Sequence, residues 1–357
     1  MENRDRHIDI VRTIAIILVV FGHIGPVPGC GWLEAHFPMS AYRMALFLFV
    51  SGYLFRDMDR SALPAFCKKK SLRLLCPFIG WNIAYAAIVT LFNHWHLVHY
   101  LPPTERVWTA YNLLVAPFMG CDQYFFNHAT WFVGMLYPAL LFYALIYLIS
   151  RRLPEWSMLV VYGAVGMAAL AVARYGDFPR WALLPMHIAY ALFFLQAGRC
   201  WRIYVEPWLN GTHRWMVLGG VLVLWYGIVQ LSGTHPYAVA WMQFNGQIVL
   251  PLVTGVLGCV CWMLISSVAA QYIPANRIEN LICRNTWAIM VHHLLAAFVL
   301  SYLYVRWTHD AEDLNALQEH FWFRVPAISY WVYAAAMIIL PILWQLLFDR
   351  FKSLFAR

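Results

Sequence analysis

Hydrophobic positions in this chain come in long unbroken runs separated by short polar stretches, without the two-residue alternation of half-buried strands. About ten of these runs approach the roughly 17–25 residues that a helix needs to cross a bilayer. They fall at Ile8–Gly25, Met39–Phe55, Leu72–Phe92, Trp131–Ile149, Met158–Ala173, Ala182–Gly198, Trp215–Leu231, Ile248–Ala270, Thr286–Val305 and Ala327–Leu347. The pattern predicts an all-α, polytopic integral membrane protein in which one transmembrane domain occupies residues 1–357. The longest connection, Asn93–Thr130, carries an apolar stretch from Val107 to Met119 that is too short to span and is expected to lie along the outer membrane surface. The first run leads into further spans, and Gly25-Pro26-Val27-Pro28 is a poor small-residue cleavage site, so no cleavable signal peptide is expected.

Composition agrees with the pattern: 62% of residues are hydrophobic and 12% charged, against roughly 45–50% and 25% in soluble domains. The charges add orientation. Short loops rich in Lys and Arg stay on the cytoplasmic side. With the N-terminus inside, only Arg43, Arg106, Arg174, Arg180, Arg306 and Arg324 of the 25 basic residues fall away from that side. An even number of helices then leaves both termini in the cytoplasm. The net charge of +8 is thereby a topology signal, and nucleic-acid binding is an unnecessary inference from it.

The eight cysteines form no metal or disulfide framework. Cys259 and Cys261 are close in sequence but face apart on one helix, while Cys30 and Cys121 fall in extracytoplasmic loops, where their pairing stays open. His94, His96 and His99 sit at a membrane boundary beside Trp95 and Tyr100 and read as interfacial, so no metal is expected. Trp131, after His128 and Thr130, reads as an interface anchor, with a segment lining the acceptor entrance as the lesser alternative, and Gln243, Asn245 and Gln247 read as a plain loop in preference to a vestibule wall.

Two ionisable residues interrupt the first run. Arg12 and His23 are eleven residues apart, so on a helix they share nearly one azimuth about 16 Å apart along the axis. Such groups inside a membrane are costly, by roughly 2.5 kcal/mol or more near its centre, and by default face protein, water or a functional site. The structural alternatives are a helix-interface histidine bonded to a carbonyl and an arginine snorkelling to the cytoplasmic interface.

The stretch Arg6-His7-Ile8-Asp9-Ile10-Val11-Arg12, continuing to Phe21-Gly22-His23, resembles the opening helix of the acyltransferase-3 family of integral membrane acyltransferases. Phe47-Leu48-Phe49-Val50-Ser51-Gly52-Tyr53 is similar to that family's Phe-rich helix ending in Ser-Gly-Tyr, although Arg43 and Ala45 stand where relatives often carry His and Pro. Lys70-Ser71-Leu72-Arg73, followed by Pro77, resembles a paired-arginine motif with Lys70 in place of the first arginine. Asn285-Thr286-Trp287-Ala288-Ile289-Met290-Val291-His292 resembles a late helix whose signature ends on His.

The resemblance implies transfer of an acyl group from acyl-CoA, such as acetyl-CoA, to a hydroxyl of a saccharide or lipid-linked glycan at a bacterial cytoplasmic membrane. The acyl-CoA is then a substrate, and no bound cofactor is implied. His23 is the expected base or transient acyl carrier. Arg12 lies below it, and Lys68, Lys69, Lys70 and Arg73, expected in a cytoplasmic loop, could hold the donor phosphates, with topology and anionic lipid as the plainer account of that cluster. His292 is expected to share the cavity with His23, and His293 to be structural. The competing class is a transporter of an anionic solute or a proton-coupled exchanger, which the same intramembrane His and Arg would suit.

Overall fold

The computed structural model describes every residue except 1–4, 100–105, 121–123, 210, 234, 321–322 and 356–357, and all side chains but those and 212 and 355. Fourteen α-helices follow one another among the described residues, with no strand. They are α1 Arg6–Ile24, α2 Gly31–His36, α3 Arg43–Tyr53, α4 Leu63–Lys70, α5 Cys76–His94, α6 Trp131–Ser150, α7 Glu155–Tyr175, α8 Leu183–Cys200, α9 Gly211–Ser232, α10 Leu250–Tyr272, α11 Arg277–Arg284, α12 Thr286–Thr308, α13 Ala311–Glu319 and α14 Tyr330–Phe355. Nine helical stretches are long and apolar enough to cross a membrane, and α3 adds a shorter apolar one. The ten runs read from the sequence correspond to these ten in order. Helices are the outcome because lipid offers backbone groups no partner, so each segment must satisfy its own.

Alternate helices run in opposite directions, so one end of the bundle collects Arg6, Arg151, Arg199 and α11, and the other collects His23, the turn at residues 237–243 and Tyr330. The first is called the basic end below. The helix α14 returns antiparallel to α1, with Tyr330 against Phe21, and finishes beside α11 at the basic end.

Three π-turns punctuate the helices, at Ser71–Leu75, Tyr111–Val115 and Trp201–Val205. Each ends two residues before a proline: Pro77, Pro117 and Pro207. A proline lacks the N–H of the helical ladder, and its ring clashes with the carbonyl four residues back. Widening the preceding turn relieves both, and the last N–H of each turn reaches five residues back, as Cys76 N does to Ser71 O. The first of these turns joins α4 to α5 in one helical run, Arg60–His94. This corrects the cytoplasmic-loop assignment of Lys68, Lys69, Lys70 and Arg73: all four lie on helix, and Lys70 packs 5.4 Å over the Phe66 ring.

The second π-turn corrects the surface location of Val107–Met119. The segment folds back between α5 and α6, where Asn82 Nδ2 donates to the carbonyls of Asn112 (3.0 Å) and Leu113 (2.9 Å). Phe118 meets Phe78 at 5.3 Å between ring centroids. Asn82 lies twelve residues before the end of α5, about 18 Å along its axis, so the segment penetrates deeply. Irregular backbone at such depth persists where protein groups satisfy it, which is what Asn82 does.

The Ser-Gly-Tyr end of α3 is a packing device. A Cβ on Gly52 would overlap the Leu195 carbonyl, and one on Gly198 the Phe49 carbonyl, so α3 and α8 cross with their backbones in contact. Arg202 Nη1 then donates to the last carbonyls of that segment, Tyr53 O (2.7 Å) and Phe55 O (2.6 Å). Below the crossing, Arg199 pairs with Glu155 (2.7 Å) and Asp57 (2.6 Å). Its hydrogen bond holds the Asp57 carboxyl below the ordinary carboxylate range.

Candidate active site

The run that forms α1 is rich in Ile and Val, stiff side chains that pack its length into the bundle. The helix stops at Gly25, whose φ of 135° lies outside what other residues adopt readily, one residue before Pro26. His23 is thereby fixed in the last turn, at the end of the bundle opposite the basic one. Its Nδ1 lies 2.8 Å from Val19 O, and 3.3 Å from Nε2 of His293 on α12. His293 Nδ1 is in turn 2.8 Å from Ile289 O and 3.1 Å from Met290 O.

A carbonyl only accepts, so these partners settle the tautomers. His293 carries its proton on Nδ1 and presents Nε2 as an acceptor. His23 carries its proton on Nδ1, shared between Val19 O and His293 Nε2. The nitrogen of His23 left without a protein partner among the described residues is Nε2, a lone pair.

The His23 ring borders a cavity of about 170 Å³. The other walls come from Ser40 and Arg43 at the start of α3, His128 and Trp131 at the start of α6, and the turn Tyr237–Trp241. That turn is tied by Ala238 N to Gln243 O (2.9 Å) and Gln243 N to Ala238 O (3.1 Å), with Met242 in the left-handed region. His187, buried on α8, donates from Nε2 to Val239 O (2.9 Å) and so pins the roof of the cavity. Trp131 is buried, which corrects its reading as an interface anchor. On the outer side of the same turn, Gln243, Asn245 and Gln247 border a second pocket of about 260 Å³ with Arg174, where a plain loop was expected.

The remaining expected residues are dispersed. His292 does not share the cavity with His23, because adjacent helical residues point about 100° apart and His293 takes the face toward α1. His292 instead meets the Tyr85 hydroxyl at 2.8 Å through Nδ1 and stands edge-on to Trp81. Arg12 is half-buried on the His23 face of α1, and neither it nor Lys69 or Arg73 makes a hydrogen bond or ion pair among the described residues. Cys121 and Tyr100 lie outside the described residues, so the Cys30–Cys121 pairing does too. No group of three or more His, Cys, Asp or Glu side chains is arranged to hold a metal ion among the described residues.

Sequence reasoning took His293 as structural, noted Arg43 only as a departure from the family pattern and His128 only beside Trp131, and did not single out His187. Arg43 had a signal: it is an ionisable residue at the head of an apolar run, the same argument that singled out Arg12. Glu34, on α2, faces Arg43 without forming an ion pair among the described residues; its carboxylate accepts from Met39 N at 3.2 Å. Burial raises the Glu34 carboxyl above its ordinary value, while the Met39 N–H and the Arg43 charge draw it back.

A family model described as an acyltransferase domain matches residues 5–350, nearly the whole chain. Comparison with curated proteins and with solved structures finds no significant match. The chain belongs to the acyltransferase-3 family and is a multi-pass membrane acyltransferase.

Proposed function

We propose that this acyltransferase moves an acyl group, foremost acetyl, from cytoplasmic acyl-CoA to a hydroxyl of an extracytoplasmic or lipid-linked saccharide at a bacterial cytoplasmic membrane. The reading is carried by one observation: the His23 ring, held by two partners through Nδ1, borders a cavity with its Nε2 lone pair unengaged among the described residues. His23 Nε2 takes the hydroxyl proton as the hydroxyl oxygen attacks the thioester carbonyl carbon. The C–S bond then breaks, and the departing thiolate takes the proton from His23 to leave as CoA thiol. Oxygen and carbon form the ester bond, so atoms and charge balance.

The His23 end of α1 is opposite the basic end, which supports acceptance from the outer side. Arg12, about 16 Å along the same face, is a cation available to the donor's anionic part, as are Lys69, Lys70 and Arg73 on the run Arg60–His94. The test is release of free thiol from acetyl-CoA by the purified protein in detergent, with envelope glycans added. His23→Ala is expected to lower the rate by about 10²–10⁴ while the protein stays folded. Retained turnover in that variant would falsify the assignment.

A further inference from the structure

The cavity beside His23 is lined by a cation, Arg43, that forms no ion pair among the described residues. Arg43 opens α3, and its guanidinium lies directly against the Cα of Gly22: a Cβ there would overlap Arg43 Nη1. It lines the cavity together with His23. Among the described residues Arg43 makes no hydrogen bond and no ion pair; Glu34 acts on its charge from beyond ion-pair distance while its carboxylate accepts from the Met39 N–H.

The Arg43 guanidinium, part-exposed at the cavity wall, keeps its N–H donors for a group that enters. The cavity, at about 170 Å³, admits an acyl carbonyl and one reacting hydroxyl. Neither of those two groups is anionic on arrival. The anion that appears there is the one made by the reaction.

We propose that Arg43 is a further catalytic residue, the oxyanion donor of the acyl transfer, seated beside His23 by the absence of a side chain at Gly22. The assignment rests on His23 acting as the base. When the hydroxyl oxygen attacks the carbonyl carbon and its proton passes to His23 Nε2, the carbonyl π pair moves onto oxygen. The Arg43 guanidinium donates to that oxyanion. Collapse re-forms C=O, expels the thiolate, and returns the His23 proton to sulfur. A planar fork of N–H donors held before the reaction begins is suited to a charge that exists only in the transition state and intermediate.

The experiment compares wild type, Arg43→Gln, Arg43→Lys, Gly22→Ala and His23→Ala as full-length proteins in detergent, each shown to be folded by gel filtration and thermal melting. Thiol release from acetyl-CoA gives kcat and KM, and titration with acetate, a small oxyanion that fits the cavity, gives a turnover-independent affinity. Arg43→Gln is expected to lower kcat by about 10²–10³ with KM for acetyl-CoA within about twofold, since one oxyanion donor is worth that much. Acetate should bind it at least about tenfold more weakly than wild type. Gly22→Ala, which displaces the guanidinium while keeping its charge, should show the same kcat defect, and Arg43→Lys an intermediate one.

Unchanged kcat and unchanged acetate affinity in Arg43→Gln, alongside loss of turnover in His23→Ala, overturns the Arg43 assignment and leaves the base in place. Full turnover in His23→Ala removes the base and the oxyanion role together. A raised KM with normal kcat also overturns the proposal, because the guanidinium would then bind an anion present in the ground state.

Discussion

At the basic end of the bundle a nearly inaccessible arginine, Arg199, meets Glu155 and Asp57 within 2.7 Å and lies over the Tyr147 ring. At the other end Arg43 shares a cavity with His23 and meets no carboxylate within ion-pair distance among the described residues. Both arginines sit at the end of an apolar helix, and both carry a charge that lipid will not solvate. The paired one ties α8 to α7 and to the segment after α3. The unpaired one leaves its donors to whatever enters. Comparing a buried cation's partners therefore separates structure from chemistry better than comparing residue types.

The largest way to break this comparison is Arg199→Ala. Removing one partner of a buried ion pair leaves the other uncompensated, at about 3–5 kcal/mol, so a fall of many degrees in melting temperature is expected. Thiol release per folded molecule should be unaltered. A stable variant with lost activity would reverse the roles of the two ends.

Two glycines sharpen the contrast. Gly52→Ala forces a methyl group into the Leu195 backbone carbonyl, which cannot move aside, and overpacking of this kind costs about 1–3 kcal/mol or more. Gly22→Ala meets only the far end of the Arg43 side chain. The first is expected to lose folded protein, and the second to fold normally and lose turnover by about 10²-fold. Yield and melting temperature read the former, kcat the latter.

Most of the fold was legible in the sequence because run length and hydropathy report on the bilayer directly. Most of the expected spans emerge near their limits, α6 and α12 beginning at the expected Trp131 and Thr286, while the third extends back to Arg60, the last on to Phe355, and the second is the short α3. What escaped were consequences of tertiary contact. The helical placement of Lys70 and Arg73 required knowing that a π-turn absorbs Pro77, and the depth of Asn112 required a partner, Asn82, thirty residues earlier. In the site, eleven-residue spacing placed Arg12 and His23 on one face of one helix, a local matter. Which of two adjacent histidines faces α1 depends on the rotation of α12 against it, which no periodicity in an almost uniformly apolar helix encodes. Arg43 lay in plain view, yet its meaning comes from the bare Cα of Gly22 across the interface.

His293 offers a finer test. Its Nε2 accepts from His23 Nδ1–H, but Val19 O holds the same proton, so the tautomer survives its loss. His293→Ala is expected to lower kcat by about tenfold, near the 1.4 kcal/mol of one good hydrogen bond. KM should stay put. A loss as great as that of His23→Ala would make His293 a second participant in proton transfer.

The smallest effect belongs to Asp57, the exposed partner of Arg199, whose side chain keeps 75% of its accessibility. Glu155, more buried, remains beside Arg199 in Asp57→Asn, so the cation stays compensated. Solvent screens what is lost, and the difference at neutral pH should be below about 1 kcal/mol. The pH dependence fixes its sign. The Asp57 carboxyl is lowered in the folded protein by the Arg199 hydrogen bond, so its stabilisation is present above the unfolded value, about pH 4, and fades as pH falls through the folded value. Melting curves of wild type and Asp57→Asn should accordingly differ slightly at pH 7 and converge below pH 4. A gap that widened on acidification would mean that Asp57 is unfavourably ionised in the fold and that this end of the bundle is less well paired than its distances indicate.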